Sequence, residues 1–267
     1  MDIAAYLERI RYRGPLTPTA ETLRQLQVAH LLAVPFENLS IHSGEPIELD
    51  DEALFQKVVA RRRGGFCYEL NGLFAALLRA LGFEVAMLSA AVMGAEEFGP
   101  GFDHMALRVA SEEPEPWLVD VGFGDSFREP LRLAERGEQA QGGQAYRIED
   151  AGEGRLVVMR RDGEGPWKAQ YRFGLEPHEY ADYAAMCHYH QTSPRSHFTQ
   201  RRLCSLATPD GRVTLSGMRL ITTQSGERQE RELADEREYD QALRQLFGIE
   251  LRAAGCPPRR VNRHRGE

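Results

Sequence analysis

Three residues of reactive type, Cys67, His104 and Asp120, stand in an order that suits a thiol nucleophile served by an oriented imidazole. A cysteine attacks as its thiolate, and a helix N-terminus or a neighbouring imidazolium makes that thiolate accessible near neutral pH. Cys67 follows Gly64-Gly65-Phe66 and leads into YELNGLFAALLRALG. There Leu70, Phe74, Leu77, Leu78 and Leu81 mark one face of a buried helix, and Gly82 is its natural stop. The spacing predicts that Cys67 lies at or just before the helix start. The glycine pair permits a tight turn and close approach of a ligand to the backbone. Taken alone, Cys67 reads first as a buried structural cysteine, which is what most single cysteines are.

The base and its orienting group come from a hairpin. HMALRVA (104–110) and WLVDVGF (117–123) read as strands joined by SEEPEP. In an antiparallel pairing the midpoint between His104 and Asp120 is residue 112, inside that connection. The two share the parity that places them on one face, opposite or diagonal, when the register is even. A carboxylate so placed fixes the imidazole tautomer and stabilises its cation. A chance polar pair on a hairpin is the alternative. Together, a helix-start cysteine followed by a strand histidine and a strand aspartate argues for a cysteine-nucleophile triad, an order that also suits transglutaminase-like and papain-like thiol enzymes.

The elements that must position these groups change character at residue 83. Residues 1–82 read as helical: Thr17 caps, with Pro18 in the first turn, a helix through ETLRQLQVAHLLA that Pro35 ends. DEALFQKVVARRR follows with Leu54, Phe55, Val58 and Val59 at helical spacing. From 83 onward come short strands: FEVAMLSAAVM, the hairpin, and a meander from Gln144 to Phe173 with AGEG and DGEG as turns. A second strand set follows residue 198, with PDGR (209–212) as a turn, and DEREYDQALRQLF (235–247) closes as an amphipathic helix capped by Asp235. The tail PPRRVNRHRGE reads as a solvated end. This pattern alone says α+β.

Composition excludes several classes. The 267 residues carry 33 Lys+Arg against 40 Asp+Glu, a net charge of −7, which disfavours a general nucleic-acid binder. MDIAAYLERI lacks the basic and apolar regions of an export signal, and the apolar run LFAALL is far short of the ~20 residues of a membrane span. Cys67, Cys187, Cys204 and Cys256 are too scattered for a disulfide framework, so free thiols in a reducing cytoplasm are expected. Cys187, His188, His190, His197 and Cys204 form the densest set of possible metal ligands but lack a second close pair. They are read as loop and strand residues, with no metal. Arg61, Arg62 and Arg63 read as a solvated helix end, and Glu37 and Asn38 as hydrogen-bonded structural groups.

RRRGGFCYELNGLF (61–74) resembles the arylamine N-acetyltransferases. PFENLSIH (35–42), HMALRV, LVDVGFG, QTSPRSHFTQ (191–200) and CSLATPDG (204–211) resemble further blocks of that family, in family order. The resemblance implies Cys67 as nucleophile, His104 as base and Asp120 as orienting carboxylate. It implies a helical bundle over 1–83, a β-barrel-like antiparallel domain over 84–190 and an α/β lid over 191–267, around a cysteine-protease-like catalytic core. The implied reaction is ping-pong: an acetyl-cysteine formed from acetyl-CoA is discharged by an aromatic amine or hydrazine. No metal, nucleic acid or membrane is implied. Phe36, Phe123 and Phe198 match aromatic positions lining the acceptor pocket, Phe123 and Phe198 in loops. Gly101 and Tyr189 match positions that approach CoA. GFGDSFRE (122–129), with Gly124, reads as a loop able to contact the pantetheine or diphosphate. Arg195 departs from the family pattern, which has a small hydroxyl residue there. The same triad also serves another acyl-CoA, amide synthesis on a biosynthetic intermediate, or thiol hydrolysis; a binding protein that has lost activity is disfavoured by the intact triad.

Overall fold

The computed structural model describes residues 1–251. The fold is α+β, as expected. Helices α1 (Ile3–Arg9), α2 (Ala20–Ala33), α3 (Leu39–Ser43), α4 (Asp51–Phe55) and α5 (Cys67–Ala80) occupy the N-terminal part, and α4 runs on as a π-helical turn, Gln56–Ala60. The cap of α2 is Thr19, not Thr17: its side chain accepts from the Thr22 N–H, and Pro18 stands outside the helix. Residues 1–82 are not wholly helical either. Strand β1 (Phe36–Glu37) interrupts them, a two-residue element too short to show any periodicity.

The middle of the chain forms one eight-stranded antiparallel sheet that nearly closes into a barrel. Its strands are β2 (Glu84–Val92), β3 (His104–Ala110), β4 (Trp117–Val119), β5 (Leu131–Arg132), β6 (Gln139–Gln141), β7 (Gln144–Asp150), β8 (Leu156–Asp162) and β9 (Lys168–His178). Their order is β5-β4-β3-β2-β9-β8-β7-β6, so β5 and β6 are the edges. Two glutamine side chains of β6 span the gap. Gln139 accepts from Arg132 N–H (2.8 Å) and donates to Arg132 C=O (3.1 Å). Gln141 accepts from the Arg128 and Glu129 N–H groups (2.9 and 3.0 Å) and donates to Glu129 C=O (2.8 Å). Side-chain amides thus satisfy the edge backbone in place of a strand partner.

Beyond the barrel come α6 (Tyr180–Thr192), α7 (His197–Gln200), β10 (Leu203–Thr208), β11 (Gly211–Ser216), β12 (Arg219–Gln224), β13 (Glu227–Glu232) and α8 (Glu236–Ala242). Cys187, His188 and His190 therefore lie on α6 and His197 on α7, not in loops and strands; only Cys204 is in a strand. The helix escapes detection because its buried stripe, Tyr183, Cys187 and His190, contains no aliphatic residue. Strands β10–β13 form a second sheet with β1 at its edge, Phe36 pairing with Ser205 and Glu37 with Cys204. The expected PDGR turn is confined to Pro209 and Asp210, since β11 begins at Gly211. Asp235 caps α8 as expected, accepting from Glu238 N–H. The tail from Pro257, and Cys256, lie outside the described residues.

Three apolar clusters hold these layers. The largest surrounds α5 and takes in Met105, Leu107 and Val109 from one face of β3. The second fills the barrel with Leu88, Ala106 and Leu118, from the opposite faces of β2, β3 and β4, together with Tyr171 and Phe173 of β9. The third packs Leu215, Tyr239, Leu243 and Phe247 between the second sheet and α8. Strand β3 is thus covered on both sides, by α5 and by the barrel interior, and its residues alternate between the two clusters.

Candidate active site

Cys67 is the first residue of α5 and is buried. The turn before it is forced close by its neighbours: a methyl on Gly64 would stand 1.9 Å from Pro35 O. No side chain caps the helix at Phe66, but Glu69 reaches back and accepts from Phe66 N–H at 3.1 Å. Glu69 also pairs with Lys57 at 2.6 Å, both side chains buried.

His104 is the first residue of β3, and Asp120 follows the last residue of β4 rather than lying within the strand. The hairpin register pairs Leu107 with Val119 and Arg108 with Leu118. Continuing that ladder sets Asp120 beside Ala106, with His104 on the diagonal. This is the even register the spacing requires. Both side chains have the parity of the barrel-filling residues Ala106 and Leu118, and both are buried. His104 Nε2 lies 2.7 Å from Asp120 Oδ2. When the carboxylate accepts from Nε2–H, the lone pair of the neutral ring is on Nδ1. Phe123 packs edge-on against the imidazole, ring centres 5.2 Å apart, and Tyr171 lies at 5.1 Å.

The helix and the hairpin are joined through Asn71, one turn beyond Cys67. Its Nδ2 donates to Asp120 Oδ1 (2.8 Å) and to Met105 O (2.6 Å), and its Oδ1 accepts from Val121 N–H (2.8 Å). Asp120 Oδ1 also accepts from Gly122 N–H at 2.9 Å. The contact is tight enough to require glycine at 122: a methyl there would stand 2.7 Å from Cys67 Cα and 2.8 Å from Asn71 Nδ2. Cysteine, histidine and carboxylate thus share one small assembly.

Burial pushes the Cys67 thiol well above its ordinary value, the Met105 backbone N–H opposing it and the charge of Asp120 adding to it. Burial outweighs that hydrogen bond, so forming the thiolate needs a proton acceptor at hand. Tyr171 is likewise pushed up by burial and by the Asp120 charge, so its phenol stays protonated.

A cleft of about 310 Å³ opens beside this assembly, lined among others by Phe36, Phe123, Gly124, Ser205, Arg212 and Arg228. Gly124 backs onto the Phe36 ring. Phe198 stands behind, its ring 6.2 Å from Phe36 and 5.4 Å from Phe66. It belongs to α7 rather than a loop, whereas Phe123 is in a loop as expected. On the rim Asp125 is held between Arg160 (3.3 Å) and Arg212 (3.2 Å). Arg128 donates to the carbonyls of Pro209 and Gly211 at 2.9 and 2.6 Å, fastening the segment 122–129 to the second sheet.

The sequence profile described as N-acetyltransferase matches residues 19–256. The chain is 35% identical to arylamine N-acetyltransferase 2 of Mus musculus, over 94% of this chain and 95% of that protein. It is 37% identical to the arylamine N-acetyltransferase of Mycolicibacterium smegmatis, covering 94% and 93%. The chain belongs to the arylamine N-acetyltransferase family. The solved structure of the Mycobacterium marinum arylamine N-acetyltransferase in complex with CoA superposes with a TM-score of 0.86 at 34% identity, covering 93% of each chain.

Within this arylamine N-acetyltransferase fold, Cys67, His104, Asp120, Phe36, Phe123 and Gly124 gather at one place. Gly101 and Tyr189 are not among the residues lining the cleft: Gly101 lies near Ser89 before β3, and Tyr189 is exposed on α6 against His190. Arg195 is exposed in the turn after α6. The arginine run divides. Arg63 is buried and pairs with Glu37 at 2.8 Å, correcting the solvated reading, while Arg61 pairs with Glu45. Glu37 and Asn38 have the structural bonds expected, Asn38 donating to Phe198 O and Arg201 O at 2.8 Å each. Among the described residues no group of three or more His, Cys, Asp or Glu is arranged to hold a metal. None of their helices is long and apolar enough to cross a membrane. Sequence reasoning missed Asn71, Tyr171, Arg212 and Arg228. Only Asn71 left a signal, a buried-face polar residue four beyond the cysteine; the others reach the site from distant strands, β9, β11 and β13.

Proposed function

We propose that the protein transfers an acetyl group from acetyl-CoA to an arylamine or arylhydrazine through an acetyl-Cys67 intermediate. In the first half-reaction His104 takes the Cys67 proton as the sulfur attacks the thioester carbonyl. The tetrahedral intermediate collapses, the C–S bond to CoA breaks, and His104 returns the proton to the departing thiol. In the second, the amine nitrogen attacks the acetyl carbonyl and His104 takes a proton from that nitrogen; the C–S bond to Cys67 then breaks, and His104 passes the proton to the leaving sulfur. Asp120 holds the imidazole tautomer and stabilises its cation throughout. Splitting the transfer lets one pocket serve donor and acceptor in turn.

The observation carrying this reading is the 2.7 Å His104–Asp120 bond tied through Asn71 to the helix turn that bears Cys67. The aromatic walls Phe36 and Phe123 suit a flat acceptor, and Arg212 and Arg228 supply positive charge for the CoA phosphates on a net acidic chain. Of the expected lid over 191–267, the described part brings Ser205, Arg212 and Arg228 to the cleft and acts as its cover. The described cysteines form no disulfide, and we place the activity in a reducing cytoplasm.

Intact-mass analysis after brief incubation with acetyl-CoA and no acceptor tests the reading. One acetyl adduct on the Cys67 peptide, absent in Cys67→Ala and discharged by an arylamine, is expected. CoA release without any adduct would instead indicate hydrolysis, and no adduct with no release would exclude acetyl-CoA as donor.

A further inference from the structure

The residue two positions before His104 has a conformation that its side chain disfavours. Phe102 is left-handed, with φ of +63°, a region that bulky residues rarely occupy. Such a conformation persists where surrounding contacts over-determine it. Here both of its backbone polar groups are held by side chains from other elements. Phe102 N–H donates to Ser89 Oγ at 2.9 Å, and Phe102 C=O accepts from Tyr68 Oη at 2.6 Å. Tyr68 follows Cys67 directly on α5 and also donates toward Asp103 O at 3.3 Å. Ser89 lies where β2 shifts register against β9, between Leu88 and Ala90, an irregularity of the kind that re-aims a side chain. The Phe102 ring is seated edge-on against His178 and Tyr183, at 4.8 and 5.2 Å. Asp103, the next residue, has Oδ1 3.1 Å from His190 Nε2.

We infer that Tyr68 and Ser89 are positioning residues for acyl transfer, acting through the left-handed backbone of Phe102 to set where His104 enters β3. The inference rests on the reading of His104 as the base. With either hydroxyl gone, Phe102 relaxes toward an ordinary backbone conformation and the histidine two residues on moves with it. Glycine occupies the left-handed region freely, so a chain with glycine at 102 does not need the two hydroxyls to hold that shape. Tyr68 and Ser89 should therefore matter only while residue 102 carries a side chain.

The test is single-turnover acetylation of Cys67 by acetyl-CoA, followed by intact mass, with thermal melts on every variant. Ser89→Ala and Tyr68→Phe are expected to slow acetylation about tenfold or more at saturating acetyl-CoA, as small misplacements of a reacting group do. The half-saturating acetyl-CoA concentration should be unchanged, and Ser89→Thr, which keeps the hydroxyl, should retain most of the rate. In the Phe102→Gly background the same two substitutions should each cost less than about threefold, a coupling that a double-mutant cycle reads directly. Equal losses in both backgrounds, or lowered melting with the wild-type rate, would overturn the inference. Cys67→Ala and His104→Gln run alongside. Should either be acetylated at the wild-type rate, the triad reading itself fails, independently of Tyr68 and Ser89.

Discussion

Asn71 Nδ2 lies 2.8 Å from Asp120 Oδ1 and 2.6 Å from Met105 O, so one amide binds the carboxylate and the strand that begins with His104. Because Asn71 stands one helical turn beyond Cys67, the same amide sets the cysteine's helix against both partners. Asn71→Ala leaves two buried acceptors short of a donor and the Val121 N–H short of an acceptor, at about 1–3 kcal/mol for each group left unpaired. We expect a lower urea midpoint together with acetylation slowed by at least tenfold. An Asn71→Ala protein that acetylates at the wild-type rate would remove Asn71 from the site.

Gly122→Ala probes the same contact sterically. The added methyl would stand 2.7 Å from Cys67 Cα, and a backbone atom of a buried helix cannot yield cheaply. Overpacking of this kind costs typically about 1–3 kcal/mol. Activity should fall more than stability, because the displaced residue is the proposed nucleophile. Comparing the melting temperature with the rate of CoA release distinguishes the two.

The pH dependence separates thiol from base. If His104 accepts the Cys67 proton, acetylation persists well below the free-thiol value of about 8.5. A rate that rises only through that value and beyond would mean the imidazole takes no part. Stability has the opposite trend. Burial raises the folded-state pKa of Cys67, so the neutral thiol's contribution is fully present below about 8.5 and is lost as pH rises toward the folded value. Urea titrations of wild type and Cys67→Ser should therefore diverge above that pH, wild type losing more.

Arg228 lines the cleft and is exposed, paired with Glu230 at 2.6 Å. If it meets a CoA phosphate, Arg228→Ala removes an exposed ionic contact of about 1 kcal/mol at most. The expected result is a rise of up to about fivefold in the acetyl-CoA KM, with kcat unchanged and a weaker salt dependence. A fall in kcat at constant KM would place Arg228 elsewhere in the cycle.

Lys57 and Glu69 form a buried pair directly beneath the Phe66–Cys67 turn. Lys57→Met strands the Glu69 carboxylate, which burial already pushes up. Breaking one side of such a pair costs about 3–5 kcal/mol, whereas Lys57→Met with Glu69→Gln should recover part of it. Denaturation midpoints of the single and double variants check this.

Much of the site's geometry was legible along the chain because it rests on local rules. Periodicity and the glycine pair put Cys67 at a helix start, and the hairpin spacing put His104 and Asp120 on one face with only the parity of the register left open. Tertiary structure then chose an even register, since Leu118 must fill the barrel while Val119 packs toward α5, and of the two even pairings the hairpin takes the diagonal one. Helix α6 stayed hidden because Tyr183, Cys187 and His190 make a buried face without aliphatic residues, and β1 because two residues have no period. The pairing of Phe36 with Ser205, the approach of Asn71 to the hairpin and that of Tyr68 to the turn before it all join residues far apart in sequence. Side-chain type and spacing set what each segment can be. Which segments meet depends on how three apolar clusters pack together, and no local pattern records that.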